Sequence, residues 1–130
     1  MTILRSLFFL ALPILLGACS DICDNTVISR TPSPDGKHDA VLFQRDCGAT
    51  TGFSTQISLT SIGDAVVKGG NIFVADADHG TARAGDWGGP WAEAEWLSSD
   101  RLLIRHAAKS RIFENRQTLK GISIAYHSVP

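Results

Sequence analysis

Three clusters of side chains along this 130-residue chain have the types and spacing that chemistry requires. Cys47 lies in the run Arg45-Asp46-Cys47-Gly48-Ala49-Thr50-Thr51-Gly52. A thiol in such a glycine-rich loop suits a nucleophile, a metal ligand or half of a disulfide. Asp76-Ala77-Asp78-His79-Gly80 supplies oxygen ligands at alternate positions, as the start of a calcium loop does. Glu93 and Glu95 stand two apart ahead of Trp96, a spacing that puts both carboxylates on one face of a strand.

Each cluster lacks a part its chemistry needs. A catalytic thiolate wants a nearby histidine to depress its pKa, and no fixed spacing ties His38 or His79 to Cys47. The acidic loop has Gly80 where a third ligand belongs and Trp87 where the closing glutamate of a calcium loop would fall. Asp76, Asp78 and His79 are therefore weak metal candidates, and a solvated turn is the expectation. The glutamate pair alone does not mark a glycosidase, and His106 and His127 fall in or at the end of expected strands. No Gly-x-Ser-x-Gly, His-Glu-x-x-His or phosphate-binding glycine loop occurs. The expectation is a non-enzymatic protein with no cofactor and no catalytic residue.

The compartment decides what Cys47 does. The chain opens with one positive charge, Arg5, then an apolar run from Leu7 to Leu16 and the small residues Gly17 and Ala18 before Cys19. That is the layout of an export signal, predicted as a signal helix over 1–18 that is cleaved, and it is short for a membrane span of about 20 apolar residues. Leu16-Gly17-Ala18-Cys19 resembles the lipobox of bacterial lipoproteins, residue by residue. The resemblance implies a diacylglyceryl thioether on Cys19, removal of the preceding peptide and a further N-acyl chain, such as palmitate. Two or three acyl chains anchor a protein durably where one does not. Residue 20 is serine rather than the aspartate that retains such proteins in the inner membrane, so the resemblance points to the outer membrane facing the periplasm.

Cleavage leaves about 112 residues and removes Arg5, so that 11 of the 12 basic residues face 13 acidic ones. No basic patch exists, which argues against nucleic acid as a partner and against electrostatic docking on anionic lipid. The remaining thiols are Cys23 and Cys47, and in an oxidising compartment an even pair favours a disulfide over a nucleophile. Such a bond would close a loop of about 25 residues, worth roughly 3.5 kcal/mol.

The elements that position these residues read as strands and turns from Ile22 onward. Ser33-Pro34-Asp35-Gly36 predicts a turn ahead of a strand at Ala40-Val41-Leu42-Phe43. The stretches 54–62, 69–80, 101–106 and 121–129 have strand character, whereas 111–117 is charged and predicts a helical turn. Turn, strand, connection and strand occur twice, from Ser33 to Leu59 and from Ser98 to Ile124. The second copy, with Trp96 before Ser98, resembles a blade of the TolB-like propellers; the first has Thr31 at the tryptophan position. Two blades cannot close a propeller of 4 to 8. The expected fold is an all-β domain over 32–130, a small antiparallel sandwich or open barrel with propeller-blade-like repeats, joined to Cys19 by a tether over 19–31.

Residues 33–59 also resemble small uncharacterised bacterial envelope proteins that carry an S-P-D-G-K turn and an R-D-C-G-A-T-T-G-F-S-T-Q segment; the resemblance brings no activity. Three tryptophans fall within Ala84 to Trp96. Trp96 is an expected core residue. Trp87, on a Gly/Pro loop with Trp91 nearby, is either a partner-binding anchor or a lid over the end of the core. Two classes of function remain: a lipid-anchored binding or structural module for an envelope protein or peptidoglycan, with a lysozyme-inhibitor-like hydrolase inhibitor as one variant, or a small thiol- or metal-dependent enzyme.

Overall fold

A computed structural model describes residues 22–48 and 52–130. The lipobox, the signal and Thr50 and Thr51 lie outside the described residues. The described residues form nine strands: β1 (Asp24–Pro32), β2 (His38–Asp46), β3 (Ser54–Ser61), β4 (Phe73–Asp76), β5 (Ala92–Ser98), β6 (Arg101–Ala107), β7 (Arg111–Asn115), β8 (Thr118–Leu119) and β9 (Ile122–Val129). They build two sheets, ordered β1-β2-β3-β4-β7 and β5-β6-β9-β8. The fold is the expected sandwich and not a closed barrel. No described helix is long and apolar enough to cross a membrane.

The core follows from alternation. On β2, β3 and β4 the residues Ala40, Leu42, Ile57, Leu59, Phe73 and Ala75 point inward, and Ala92, Leu102, Ile104, Ile122 and Ile124 meet them from the other sheet. Each set has the period of two that puts one face of a strand against its neighbour. Phe73 spans the layers, stacking on His106 at 5.7 Å and on Tyr126 at 6.1 Å between ring centroids. Tyr126 donates its hydroxyl proton within a pair of carbonyls, Ile72 O at 2.8 Å and Arg116 O at 2.6 Å, and burial pushes its pKa upward.

β2 is apolar on both faces, and the second face is covered too. Val41 and Phe43 are fully buried on the outer side of the sheet, where the segment 62–70 crosses. That segment is tied down by Asn25, whose Nδ2 donates to Val66 O and Lys68 O, by Arg30 donating to Asp64 O, and by Gly63 N donating to Asp39 Oδ2. Asn71 then imitates a strand, its side-chain amide accepting from Leu59 N at 2.7 Å and donating to Leu59 O at 2.9 Å.

Three expectations need correction. The tether predicted over 19–31 is shorter, because Asp24–Pro32 pairs with β2 along its length. The predicted helical turn at 111–117 is instead strand β7, the edge of the larger sheet, where its charged residues face solvent. The sandwich is also not wholly antiparallel, since β6 and β9 run parallel from Arg101↔Ser123 to Ala107↔Val129.

Candidate functional site

The register of the large sheet gathers chemically capable residues at one end. β2 and β3 pair Arg45 with Ser54, β3 and β4 pair Ser54 with Asp76, and β4 and β7 pair Asp76 with Arg111. Those four residues therefore share one rung and one outer face. They form the floor of a cleft of about 630 Å³, walled by Cys47, Gly52, Phe53 and Gly88 on one side and by Ala77 to Gly80 and Phe113 on the other. The cysteine loop and the acidic loop, 30 residues apart in sequence, thus line one concavity.

Cys47 is bonded to Cys23. The β1–β2 register explains why, because Asp24 opposes Asp46 and the next residues outward are these two cysteines. The bond occupies the sulfur that a nucleophile or metal ligand needs. Asp46 tightens the same corner, accepting from Gly48 N at 3.0 Å. Arg45 is nearly buried, at 9% exposure, and donates to Asn25 Oδ1 at 2.7 Å.

Across the floor, Arg111 grips Asp76 with two nitrogens: Nε donates to Oδ1 at 3.0 Å and Nη2 to Oδ2. This forked bond holds the Asp76 carboxyl below its ordinary pKa, against the opposing effect of partial burial, and holds the guanidinium above its own. Arg111 also lies over the Phe113 ring, 5.3 Å from its centroid. Its Nη1 stands 3.9 Å from Asp78 Oδ1, beyond hydrogen-bond reach.

The loop above has an unusual backbone. Asp78, His79 and Gly80 all have positive φ, at 48°, 58° and 84°. Asp and His tolerate this left-handed region better than most residues, yet two in succession carry a conformational cost and such positions concentrate at functional sites. Asp78 N donates to Asp76 Oδ1 at 2.9 Å and Ala82 N to Ala77 O at 3.1 Å, which fixes the turn. Of the weak metal candidates Asp76, Asp78 and His79, the first has another partner. Asp76 is taken by Arg111, and among the described residues no three His, Cys, Asp or Glu side chains are placed to hold an ion.

The tryptophans sit elsewhere. Trp87 packs against the core and donates its indole N–H to Thr55 Oγ1 at 2.8 Å, which in turn donates to Pro90 O at 2.6 Å. A Cβ on Gly85 would lie 2.5 Å from the Trp87 ring, so the glycine is what lets the indole fold down. This is the lid geometry rather than a free anchor. Trp91 is half-buried beneath Arg83, whose guanidinium carbon is 4.6 Å from the ring centroid. Glu93 and Glu95 both pair with Arg105 on the outer face of the other sheet, at 2.9 and 2.7 Å, an ion pair remote from the cleft.

Sequence reasoning missed Arg45, Phe53, Arg111 and Phe113 as site residues. Phe53 carried a signal, an apolar side chain in a polar glycine loop. Arg111 and Phe113 were hidden by the helical reading of 111–117, since only a strand puts Arg111 opposite Asp76. Searches with the chain found no matching family model, no matching curated protein and no matching solved structure.

Proposed function

We propose that this chain is a lipid-anchored, non-enzymatic binding module of the bacterial cell envelope, held by acylated Cys19 at the outer membrane and facing the periplasm. The observation that carries the reading is the Cys23–Cys47 bond, which staples the chain close behind Cys19 to the wall of a cleft where charged and aromatic side chains converge. A disulfide suits an oxidising compartment, and a cleft whose floor carboxylate, Asp76, is neutralised by Arg111 suits recognition better than acid–base chemistry.

The anchor is tested by fractionation and intact mass. Wild-type protein should appear in the membrane fraction with its N-terminus at Cys19 and an added acyl mass. Cys19→Ala should leave the membrane fraction or retain the signal. Wild-type protein without an acyl adduct overturns the anchor. Density-gradient recovery with the inner membrane overturns the outer-membrane assignment alone.

A further inference from the structure

The cleft lies where the chain enters the sandwich. Ile22 is 79% exposed, and the next residue is bonded to Cys47 in the cleft wall. On the reading that Cys19 is acylated, on which this inference rests, three residues and four Cα-to-Cα steps separate the anchor from Cys23. Fully extended, four steps span about 14 Å. The turn at the opposite end of β1 is a strand's length further away, about 30 Å for nine residues. The acyl chains therefore hold the cleft end of the sheet near the headgroup layer and keep the Ser33–Lys37 turn far from it.

Two features of the cleft fit that position. Phe53 and Phe113 are 45% and 62% exposed on opposite walls, and with Ile22 they put three large apolar side chains at the end nearest the anchor. Exposed phenyl rings beside a membrane partition into the boundary between headgroups and acyl chains. The charges are mixed rather than basic: the guanidinium of Arg111 and the carboxylate of Asp78 stand side by side without a hydrogen bond between them. Asp24 and Asp46 add negative charge on the last rung of β1 and β2. Anionic lipid is recognised by exposed clusters of lysine and arginine. Of the two arginines at this end Arg45 is nearly buried and donates to Asn25, which leaves Arg111 exposed at an end with three aspartates, Asp76, Asp78 and Asp46. A zwitterionic headgroup carries one phosphate and one ammonium, and Arg111 and Asp78 match that pair.

We propose that the cleft is a membrane-facing site that seats a zwitterionic phospholipid headgroup of the bilayer carrying the protein's own anchor. Phe113 and Phe53 enter the headgroup boundary, Arg111 faces the phosphate with the Nη1 that its forked bond to Asp76 does not use, and Asp78 faces the ammonium. Individually weak contacts suffice, because the anchor makes the encounter intramolecular at an effective concentration on the order of millimolar.

The test uses the full acylated protein in vesicles. With Cys19 acylated and Cys23 bonded to Cys47, Phe113→Cys, Phe53→Cys and Lys37→Cys each introduce one free thiol for a nitroxide label. In phosphatidylethanolamine–phosphatidylcholine vesicles, the preference for oxygen over a water-soluble nickel chelate should be several-fold higher at 113 and 53 than at 37. It should fall when phosphatidylglycerol replaces the zwitterionic lipid, and Asp78→Asn should lower it in zwitterionic vesicles. Amide exchange over 111–115 of the unlabelled protein gives a second reading, slower in vesicles than for Cys19→Ala protein in buffer. Equal accessibility at 113 and 37 in protein whose mass shows acylation overturns this site and leaves the anchor standing; an unacylated Cys19 overturns both. Shielding of 113 from both reagents only in native envelopes assigns the cleft to a protein partner and overturns the lipid.

Discussion

The stretches Ser33 to Leu59 and Ser98 to Ile124 begin with the same small device and end in opposite strand arrangements. In the first, Ser33 Oγ donates to Asp35 Oδ1 at 2.6 Å; in the second, Ser98 Oγ donates to Asp100 Oδ1 at 2.7 Å. Each turn feeds an apolar strand, β2 or β6, whose inward residues join one core. Beyond that the copies part. β2 reaches β3 through a short loop and pairs antiparallel, while β6 and β9 pair parallel. A parallel pair needs a crossover of a dozen or more residues, and 108–121 supplies it by sending β7 to the edge of the other sheet before returning. Local chemistry thus sets the start of each unit, and connection length sets its direction. The crossover also has a functional consequence: it delivers Arg111 and Phe113 to a cleft that the first copy begins with Arg45 and Cys47.

The largest expected effect concerns the device that the second copy lacks. Cys47→Ala and Cys23→Ala each open the same loop, which spans 24 residues in sequence. Each should destabilise by about 3.5 kcal/mol in the chain-entropy model. Urea unfolding of both variants checks this, and a loss much greater for one cysteine than for the other would break the assignment to loop closure.

Next comes the contact that joins the copies. The tryptophan of the second and the threonine at the matching place in the first touch across the sandwich, Trp96 Nε1 donating to Thr31 O at 2.7 Å. Trp96 is only part-buried and packs against the core, so Trp96→Ala should cost about 3 kcal/mol, the low end for a tryptophan truncation. Trp96→Phe should recover most of that loss but not the hydrogen bond, worth about 1 kcal/mol. Thermal unfolding of the pair separates packing from the bond.

The same comparison explains what the sequence made legible. Alternation along 54–59 and apolar runs at 40–43 and 102–104 identified the strands with fully buried inward residues, since burial on one face is written as a period of two and burial on both as an unbroken run. The cysteine pair was legible from compartment and count. β1 was read as tether because its side chains are mostly exposed, and β7 as a helical turn because all five of its residues are exposed; an edge strand at the surface has no apolar period to display. The cleft was half legible for that reason. Its Cys47 and Asp76 to His79 walls lie in the sequence as clusters, whereas the floor depends on register across four strands.

A smaller effect distinguishes the two turns. Gly36 has φ of 70° with open space where a Cβ would sit, so Gly36→Ala meets no clash and carries only the backbone cost of the left-handed region. That cost is about 1 kcal/mol. The second copy closes with Ser98 opposite Arg101 and has no glycine, so Arg101→Gly should bring no gain in stability. Chemical denaturation of both variants measures the asymmetry, and a gain from Arg101→Gly would show that the second turn is strained as well.

The smallest effect tests whether the serine–aspartate device matters electrically. The Asp35 carboxylate accepts from Ser33 Oγ and from Lys37 N at 3.1 Å, and these bonds, with the serine first, hold its pKa below the ordinary 3.8. A depressed carboxylate pKa contributes stability that is present above the unfolded value and lost as pH falls through the folded one, so the window lies below about 4. Because Asp35 is exposed on a solvated turn, the contribution is small and should be visible only as a slight steepening of acid unfolding. Ser33→Ala removes the largest cause and should move the Asp35 titration, followed by side-chain carboxyl NMR, back toward 3.8. It also deprives His38 N of the hydroxyl acceptor 3.1 Å away, so a loss of stability that persists at neutral pH belongs to that backbone bond, while the part that vanishes below pH 4 belongs to Asp35. An Asp35 titration that does not move in Ser33→Ala would leave the turn held by its backbone bonds alone, Gly36 N to Ser33 O and Ser33 N to His38 O, and the resemblance between the two turns would then be one of shape rather than of charge.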